Sequence, residues 1–318
     1  MVWTISLLAL LVAALGARCI AALDFTDRLG RQFQASYIAR SALQCAVALL
    51  KADATSFDGQ SEIWMNAPEL FERKPFGDGT FSLLYPLTEG GVTKTRYGFL
   101  DENRKINLNT ATEEILRNLI QEVGHLRESE ILGIVDSVLD WRDEDNEKRG
   151  YGAEDFDYLG MEHAYECKDA PFESVEELLL VRGVTPELFA RITPYLTVYG
   201  SGVVNLNTAP PEVLRALGIS SQGVAGIVFY RAGEDNTEGT SDDRVLSSVT
   251  GLSGELASRV SVEDITLLTQ LASQRRVAVR SDVFHLFIQA WVGSDEKGRV
   301  DAECVIDREG NLLAWSER

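Results

Sequence analysis

Two clusters of acidic side chains have the types and spacing to do chemistry. In the first, Asp136, Asp140, Asp143 and Asp145 are followed by Glu154, Asp155 and Asp157. Spacings of four and three place Asp136, Asp140 and Asp143 on one face of a helix, where like charges repel unless a cation or a basic partner compensates. The second is the stretch GEDNTEGTSDDR, in which Asp235, Asn236, Glu238, Asp242 and Asp243 bracket Gly239. Hard oxygen ligands on a glycine-containing loop are what Ca2+ prefers, at about six to eight oxygens per ion. The spacing does not follow the EF-hand pattern, and a solvated acidic loop is the competing reading for both clusters. Paired carboxylates such as Asp140 and Asp143 also suit acid/base hydrolysis, but such pairs are common in a chain this acidic. No G-x-S-x-G, HExxH or Gly-rich phosphate loop accompanies them, so a non-enzymatic role is expected.

The chain as a whole carries 49 acidic and 30 basic residues, a formal net charge of −19 over 318 residues. That balance opposes binding to a phosphate backbone or an anionic lipid surface and favours cations or basic protein surfaces. Cys19, Cys45, Cys167 and Cys304 are scattered and form no CxxC, and His125, His163 and His285 are equally dispersed. A zinc site therefore has little to work with. One disulfide among the last three cysteines and buried free thiols are both compatible with this pattern.

These residues need elements to position them. Val2 to Ala17 is almost wholly apolar, Arg18 interrupts, and Cys19 to Leu23 continues the run, close to the ~20 residues that cross a bilayer as a helix. Arg18 is expected at the membrane interface. The helical pattern continues through Asp53, with Leu29, Phe33, Tyr37, Ala42, Cys45, Ala46 and Leu49 near helical spacing and Gly30 as the single glycine between Asp24 and Asp53. One long helix is expected, half in lipid and half amphipathic in water. Arg28 and Arg31 also follow the apolar span, the reverse of the positive-inside rule for a cytoplasmic N-terminus, which suggests a short basic leader ahead of it.

Beyond Phe57, Gly77-Asp78-Gly79 and Gly90-Gly91 punctuate alternating runs (TFSLLYPL, TKTRYGFL) that read as strands of an antiparallel sheet. Strands return after Val277 as DVFHLFIQAWV, RVDAECVID and NLLAWSE. Between them lie short capped helices, with Thr110-Ala-Thr-Glu113 and Ser174-Val-Glu-Glu177 matching the capping box and Thr185-Pro186 placing Pro in a first turn. INLNTATEEILRNL and VNLNTAPPEVLRAL align without a gap, an internal repeat of a strand end running into an Asn/Thr-capped helix. Trp141 is expected as a core anchor of the helical part, Trp291 and Trp315 as strand-face core residues, and His285 as an ordinary sheet residue.

INLNTA, DSVLDWRDEDNEKRGYGAEDFDY, FESVEELLLVRGVTPELFARITPYLTVYG and VVNLNTAPPEVLRALG, in that order and spacing, resemble the general secretion pathway protein K family, as does YIARSALQCAVALL nearer the N-terminus. The resemblance implies an α+β minor pseudopilin of a type II secretion system, with a pilin-like antiparallel sheet domain and a large inserted α-helical domain. The implied divisions are an anchor at 1–23, a first pilin-like part at 24–105, an insert at 106–217 and a second pilin-like part at 218–318 holding the acidic loop 233–243. It further implies a single-pass place in the bacterial inner membrane with the body in the periplasm. The implied partners are I-type and J-type minor pseudopilins, the pseudopilus and the inner-membrane assembly platform, with a tip position that initiates or caps the pseudopilus. K-type pseudopilins are associated with bound calcium, which raises both acidic clusters as sites, the loop around Asp235 to Asp243 above Asp140, Asp143 and Asp145. A minor pilin of a related type IV pilus is the neighbouring alternative. NLNTATEEILRNL and SVEELLLVRGVTPELFARI also resemble helix-hairpin-helix units, but their glutamates would repel phosphate, so no nucleic acid is expected as a partner.

Overall fold

A computed structural model describes residues 1–89, 92–161, 163–293 and 298–318; the expected Gly90-Gly91 turn lies outside them. Two compact units result, one formed by residues 1–52, 63–99 and 285–318, the other by 53–62 and 100–284. The first unit begins with helix α1 (Val2–Ala52), a short helix α2 (Pro68–Phe71) and strands β1 (Lys74–Phe76), β2 (Gly79–Leu83), β3 (Tyr85–Glu89) and β4 (Val92–Arg96). The second carries β5 (Leu100–Asp101), β6 (Ile106–Asn107), α3 (Glu113–Gly124), α4 (Glu128–Arg142), α5 (Asp155–Leu159), α6 (Pro186–Ile192) and β7 (Leu196–Thr197). It continues with β8 (Val204–Asn205), α7 (Pro211–Ala216), α8 (Ser221–Arg231), α9 (Leu252–Leu256), α10 (Val262–Ser273) and β9 (Val277–Ala278). The chain then gives β10 (Val283–Val292), β11 (Arg299–Asp307) and β12 (Leu312–Glu317).

Helix α1 runs unbroken for 51 residues, about 75 Å at about 1.5 Å per residue. Its first thirty residues, Arg18 included, are exposed on every side, and the nearly all-apolar surface from Val2 to Leu23 suits lipid or other helices rather than water. The second half buries Ala35, Ile38, Ala39, Ala42, Leu43, Ala46, Val47 and Leu50 as it packs on β2 and β11. This corrects the expected stripe: Leu29, Phe33, Tyr37 and Cys45 stay exposed. Ala35, Ala39, Ala42 and Ala46 let the helix lie close to the sheet, and Ile38, Leu43, Val47 and Leu50 fill the inner face beside them.

The sheet runs in the order β1-β2-β10-β11-β12. β2 pairs antiparallel with β10 from Leu83 opposite Ile288 to Gly79 opposite Val292, and β11 with β12 from Ala302 opposite Glu317 to Ile306 opposite Leu312. The three expected C-terminal strands are present. The expected run TFSLLYPL instead divides at Leu84, with β2 in this sheet and β3 in a separate hairpin with β4. Trp291 and Trp315 are half-buried rather than core, each under a guanidinium (Arg73 and Arg40) about 5.5 Å away. The most deeply buried aromatics among the described residues of this unit are Trp64, Tyr85 and Phe99, with Phe71 and Phe81 also buried. His285 stacks on Phe287 and meets Glu303 at 2.9 Å.

The second unit is wider than the expected insert, since residues 218–284 belong to it. One apolar core runs from Ile106 to Val279, because α8, α9, α10 and β9 complete a second copy of what precedes them. β6 pairs in parallel with β7, and β8 in parallel with β9. Each INLNTA-type segment thus starts a half-unit of strand, helices and returning strand. None of the four cysteines is disulfide-bonded.

Candidate functional site

The repeat places its asparagines identically in the two halves. The Asn107 side chain accepts from Asn109 N at 2.8 Å and donates to Tyr199 O and Gly200 O; Asn205 accepts likewise from Asn207 N. Asn109 then grips Phe172 by both backbone groups, at 2.7 and 2.9 Å. Asn207 grips Leu246 the same way, at 2.8 and 3.1 Å. Each half closes with an arginine: Arg142 donates to Leu108 O and Ala111 O, and Arg231 to Leu206 O and Ala209 O. The carbonyls that a short strand end leaves unpaired are satisfied by these guanidinium groups. Helix α3 is capped by Thr112, which accepts from Ile115 N at 3.3 Å, rather than by the expected Thr110. Thr185 caps α6 as expected, and Glu177 accepts from Ser174 N.

An acidic loop follows each closing arginine, so the two sequence clusters occupy equivalent places. After Arg142, the chain turns back and brings Asp140, Asp143, Glu154 and Asp169 together. Asp140 is fully buried; its oxygens accept from Arg149 N, at 3.3 Å each, and face Arg149 Nε at 3.3 Å. Burial pushes its carboxyl up to about 6. Glu154 is 3 % exposed and is pushed up to about 7, first by burial and then by the charges of Asp140 and Asp169. Burial and then Asp145 raise Asp143 as well.

Both carboxylate oxygens of Glu154, Asp143 Oδ1 and Asp169 Oδ1 are buried without a hydrogen-bond partner among the described residues. Donor atoms of Glu154, Cys167 and Asp169 lie within 4.8 Å of one another. Burying uncompensated carboxylate oxygens is costly, and the set is dominated by hard oxygen donors. It fits a hard divalent cation such as Ca2+ better than a soft one, since the single sulfur comes from a thiol that burial keeps protonated. The other acids of the cluster are committed elsewhere. Asp136 accepts from Tyr151 N, Asp145 from Glu147 N in an exposed turn, and Asp155 from Asn146 and Cys167 N. Asp157 is held by Lys148 and Arg182. Trp141 is a core anchor, edge-on to Tyr158 and Tyr165. Asp169 and Cys167 were not singled out from the sequence, where neither falls in a spaced motif.

The second loop is differently arranged. Asp242 accepts from the Thr240 hydroxyl at 2.7 Å, and from Asp235 N at 3.0 Å and Glu234 N at 2.7 Å, which in that order hold its carboxyl down to about 2. Asp235 accepts from Thr237 N, and Asp243 Oδ2 from Gly239 N. Glu238 is bound to Arg231, 2.7 Å from Nε. Asn236 takes a left-handed backbone at φ 55°. Asp243 Oδ1 alone in this loop is buried without a partner among the described residues. The loop's acids stabilise its own turns.

A third polar centre was also missed: Asp101, fully buried, accepts from Ser281 Oγ at 2.6 Å, Asn205 Nδ2 at 3.2 Å, Asn103 N at 2.8 Å and the Thr208 hydroxyl. Burial, against these hydrogen bonds, leaves it at about 6. It joins the start of the unit to the second repeat and plays a structural part.

Residues 98–201 match the family described as Type II secretion system (T2SS), protein K. Over 99 residues the chain is 35% identical to the type II secretion system protein K of Aeromonas hydrophila, an alignment covering 30% of each. It is 28% identical over 229 residues to the protein of that name from Pseudomonas aeruginosa, covering 69% of this chain and 66% of that one. The corresponding Klebsiella pneumoniae protein is 25% identical over 231 residues, 65% of this chain and 66% of that one. The matches thus span under a third of the first relative's length and about two thirds of the other two. Among solved structures, the chain is similar to one in the GspK–GspI–GspJ complex of the enterotoxigenic Escherichia coli type 2 secretion system. The TM-score is 0.66 at 17% identity, covering 95% of this chain and 99% of that one, a likeness of fold.

Proposed function

We propose that this chain is a member of the type II secretion system protein K family and, within it, a minor pseudopilin, a non-enzymatic assembly subunit. The observation that carries the reading is the match to the protein K family at 98–201 in a chain whose N-terminal helix is exposed over its first thirty residues and, Arg18 aside, almost wholly apolar from Val2 to Leu23. That helix would hold the subunit in the inner membrane as a single span, with the body in the periplasm, and would pack in the pseudopilus against equivalent helices. The partners are I-type and J-type minor pseudopilins, named beside the similar chain in its solved complex, and the inner-membrane assembly platform. Its place is the tip, where it initiates or caps the filament.

The first acidic centre would bind Ca2+ through Glu154, Asp143 and Asp169, with Asp140 beside them. The ion would neutralise a buried like-charged group and fix the fold-back after Arg142, so its part is structural. The loop from Asp235 to Asp243 is the weaker site, because its carboxylates are already hydrogen-bonded within the loop. The test is light scattering of the full chain in detergent with the I- and J-type subunits of the same genome, in calcium and in chelator. A heteromeric complex in calcium supports the reading, and its weakening in chelator supports the ion. No complex in either condition would overturn the subunit assignment.

A further inference from the structure

The two halves of the second unit differ where a helix meets the hairpin turn that follows the acidic loop. Gly133-Ile134-Val135 in α4 and Gly226-Ile227-Val228 in α8 stand at the same positions from their helix starts. In the second half the turn sits directly on the helix. A Cβ on Gly226 would lie 2.4 Å from Arg259 O and 3.0 Å from a Val260 methyl. In the first half a Cβ on Gly133 would meet nothing nearer than Tyr151 O at 3.7 Å. The space is an open groove of about 330 Å3 bounded by Leu126, Gly133, Ile134, Tyr151, Arg182 and Gly183. Tyr151 is 63 % exposed, and on neighbouring elements Phe156, Leu159, Leu179 and Leu180 are exposed as well.

Charge selects the occupant. Residues 53–62 and 100–284 hold 36 acidic and 17 basic side chains, which is the whole net charge of −19; the rest of the chain has 13 of each. At the groove itself the charges are paired, Glu130 with Arg127 at 3.0 Å and Arg182 with Asp157 at 2.8 Å, so the negative field comes from the unit as a whole. A second copy of this unit, a phosphate backbone or an anionic lipid surface would be repelled.

We propose that the groove between α4 and the Arg182–Thr185 turn docks a protein segment that inserts an apolar side chain and flanks it with lysine or arginine. Apolar anchors in a pocket supply the affinity of such contacts, and complementary charge the on-rate and specificity. The inference stands independently of the subunit assignment, since it uses only this unit.

The probe is a fluorescein-labelled 14-residue peptide of Leu and Lys at helical spacing. It is titrated onto the full chain in phosphatidylcholine nanodiscs, with empty nanodiscs subtracted. Micromolar binding is expected, at least tenfold weaker for Gly133→Phe, which fills the groove without changing charge, and weaker for Tyr151→Ser. Circular dichroism confirms that both variants fold. Unchanged binding by both variants would overturn the groove as the site. Equal binding of a Leu/Glu peptide would overturn the charge argument. Self-association that Gly133→Phe abolishes would replace the proposed segment with a second copy.

Discussion

The two halves of the helical unit share one lock and hold two different loops. In both, an Asn-Leu-Asn turn grips the backbone of a distant residue and an arginine closes on two carbonyls, at Leu108 and Ala111 or at Leu206 and Ala209. Past the arginine the first loop gathers Asp143, Glu154 and Asp169 with oxygens left over, whereas the second spends its acids on its own backbone. An acidic composition therefore does not locate a cation site. What distinguishes the first loop is that both Glu154 oxygens and one oxygen each of Asp143 and Asp169 are buried without a hydrogen-bond partner among the described residues. The lock is scaffold; the loop after it is where one copy is free to acquire chemistry.

The comparison is most strongly challenged at the arginines. Arg231 is 2 % exposed and also binds Glu238, so Arg231→Ala orphans two carbonyls and a carboxylate and should cost about 3 to 4 kcal/mol in urea denaturation. Arg142, half-buried, should cost about 2 kcal/mol; a larger loss there would invert the ranking. Next in size is Asn207→Ala at about 2 kcal/mol, since both backbone groups of Leu246 lose their partner.

The two loops should be separated by their response to ions. Without a divalent cation, a carboxyl whose folded-state pKa is raised favours folding while protonated, and that stability is lost as pH rises from the ordinary glutamate range through about 7 for Glu154. The cation-free protein should melt lower at pH 8 than at pH 5. Calcium should raise the melting temperature at pH 8, and Glu154→Gln should abolish that rise. Equal calcium stabilisation in Glu154→Gln would move the site elsewhere. The smallest effect is expected from Asp242→Asn, on an exposed side chain: faster proteolysis of the 233–243 loop with the melting temperature unmoved.

Much of the fold was legible because its signals are long or regular. The apolar run and the absence of Pro forecast α1, and alternation forecast β10, β11 and β12. The face of α1 was misread because periodicity alone cannot tell the mixed alanine and aliphatic stripe that meets the sheet from the bulky stripe of Leu29, Phe33 and Tyr37 beside it. The extent of the helical unit was missed because its closing strand is two residues, Val277 and Ala278, too short to show a period. At the site, Asp140 and Asp143 were found by spacing and Glu154 by proximity, but Asp169 joins them only through a fold-back that local sequence does not encode. The second loop was placed above the first only with the family resemblance, and its hydrogen bonds from Gly239, Glu234 and Asp235 are visible only in three dimensions.

The pairing of β2 with β10 sets an order of folding. Leu83 meets Ile288, a partner about 200 positions later in the chain, and closing so long a loop from an unfolded state is slow and entropically costly. Parts of the intervening chain, β6 with α3 and α4, close among themselves over short separations and can form while the C-terminus is still being made. Once the helical unit has condensed, most of the chain between β2 and β10 is no longer a flexible loop to be closed. The sheet then has only its own two edges to join, so a lesion in Arg231 should appear first as delayed completion of a strand that contains none of the altered residues.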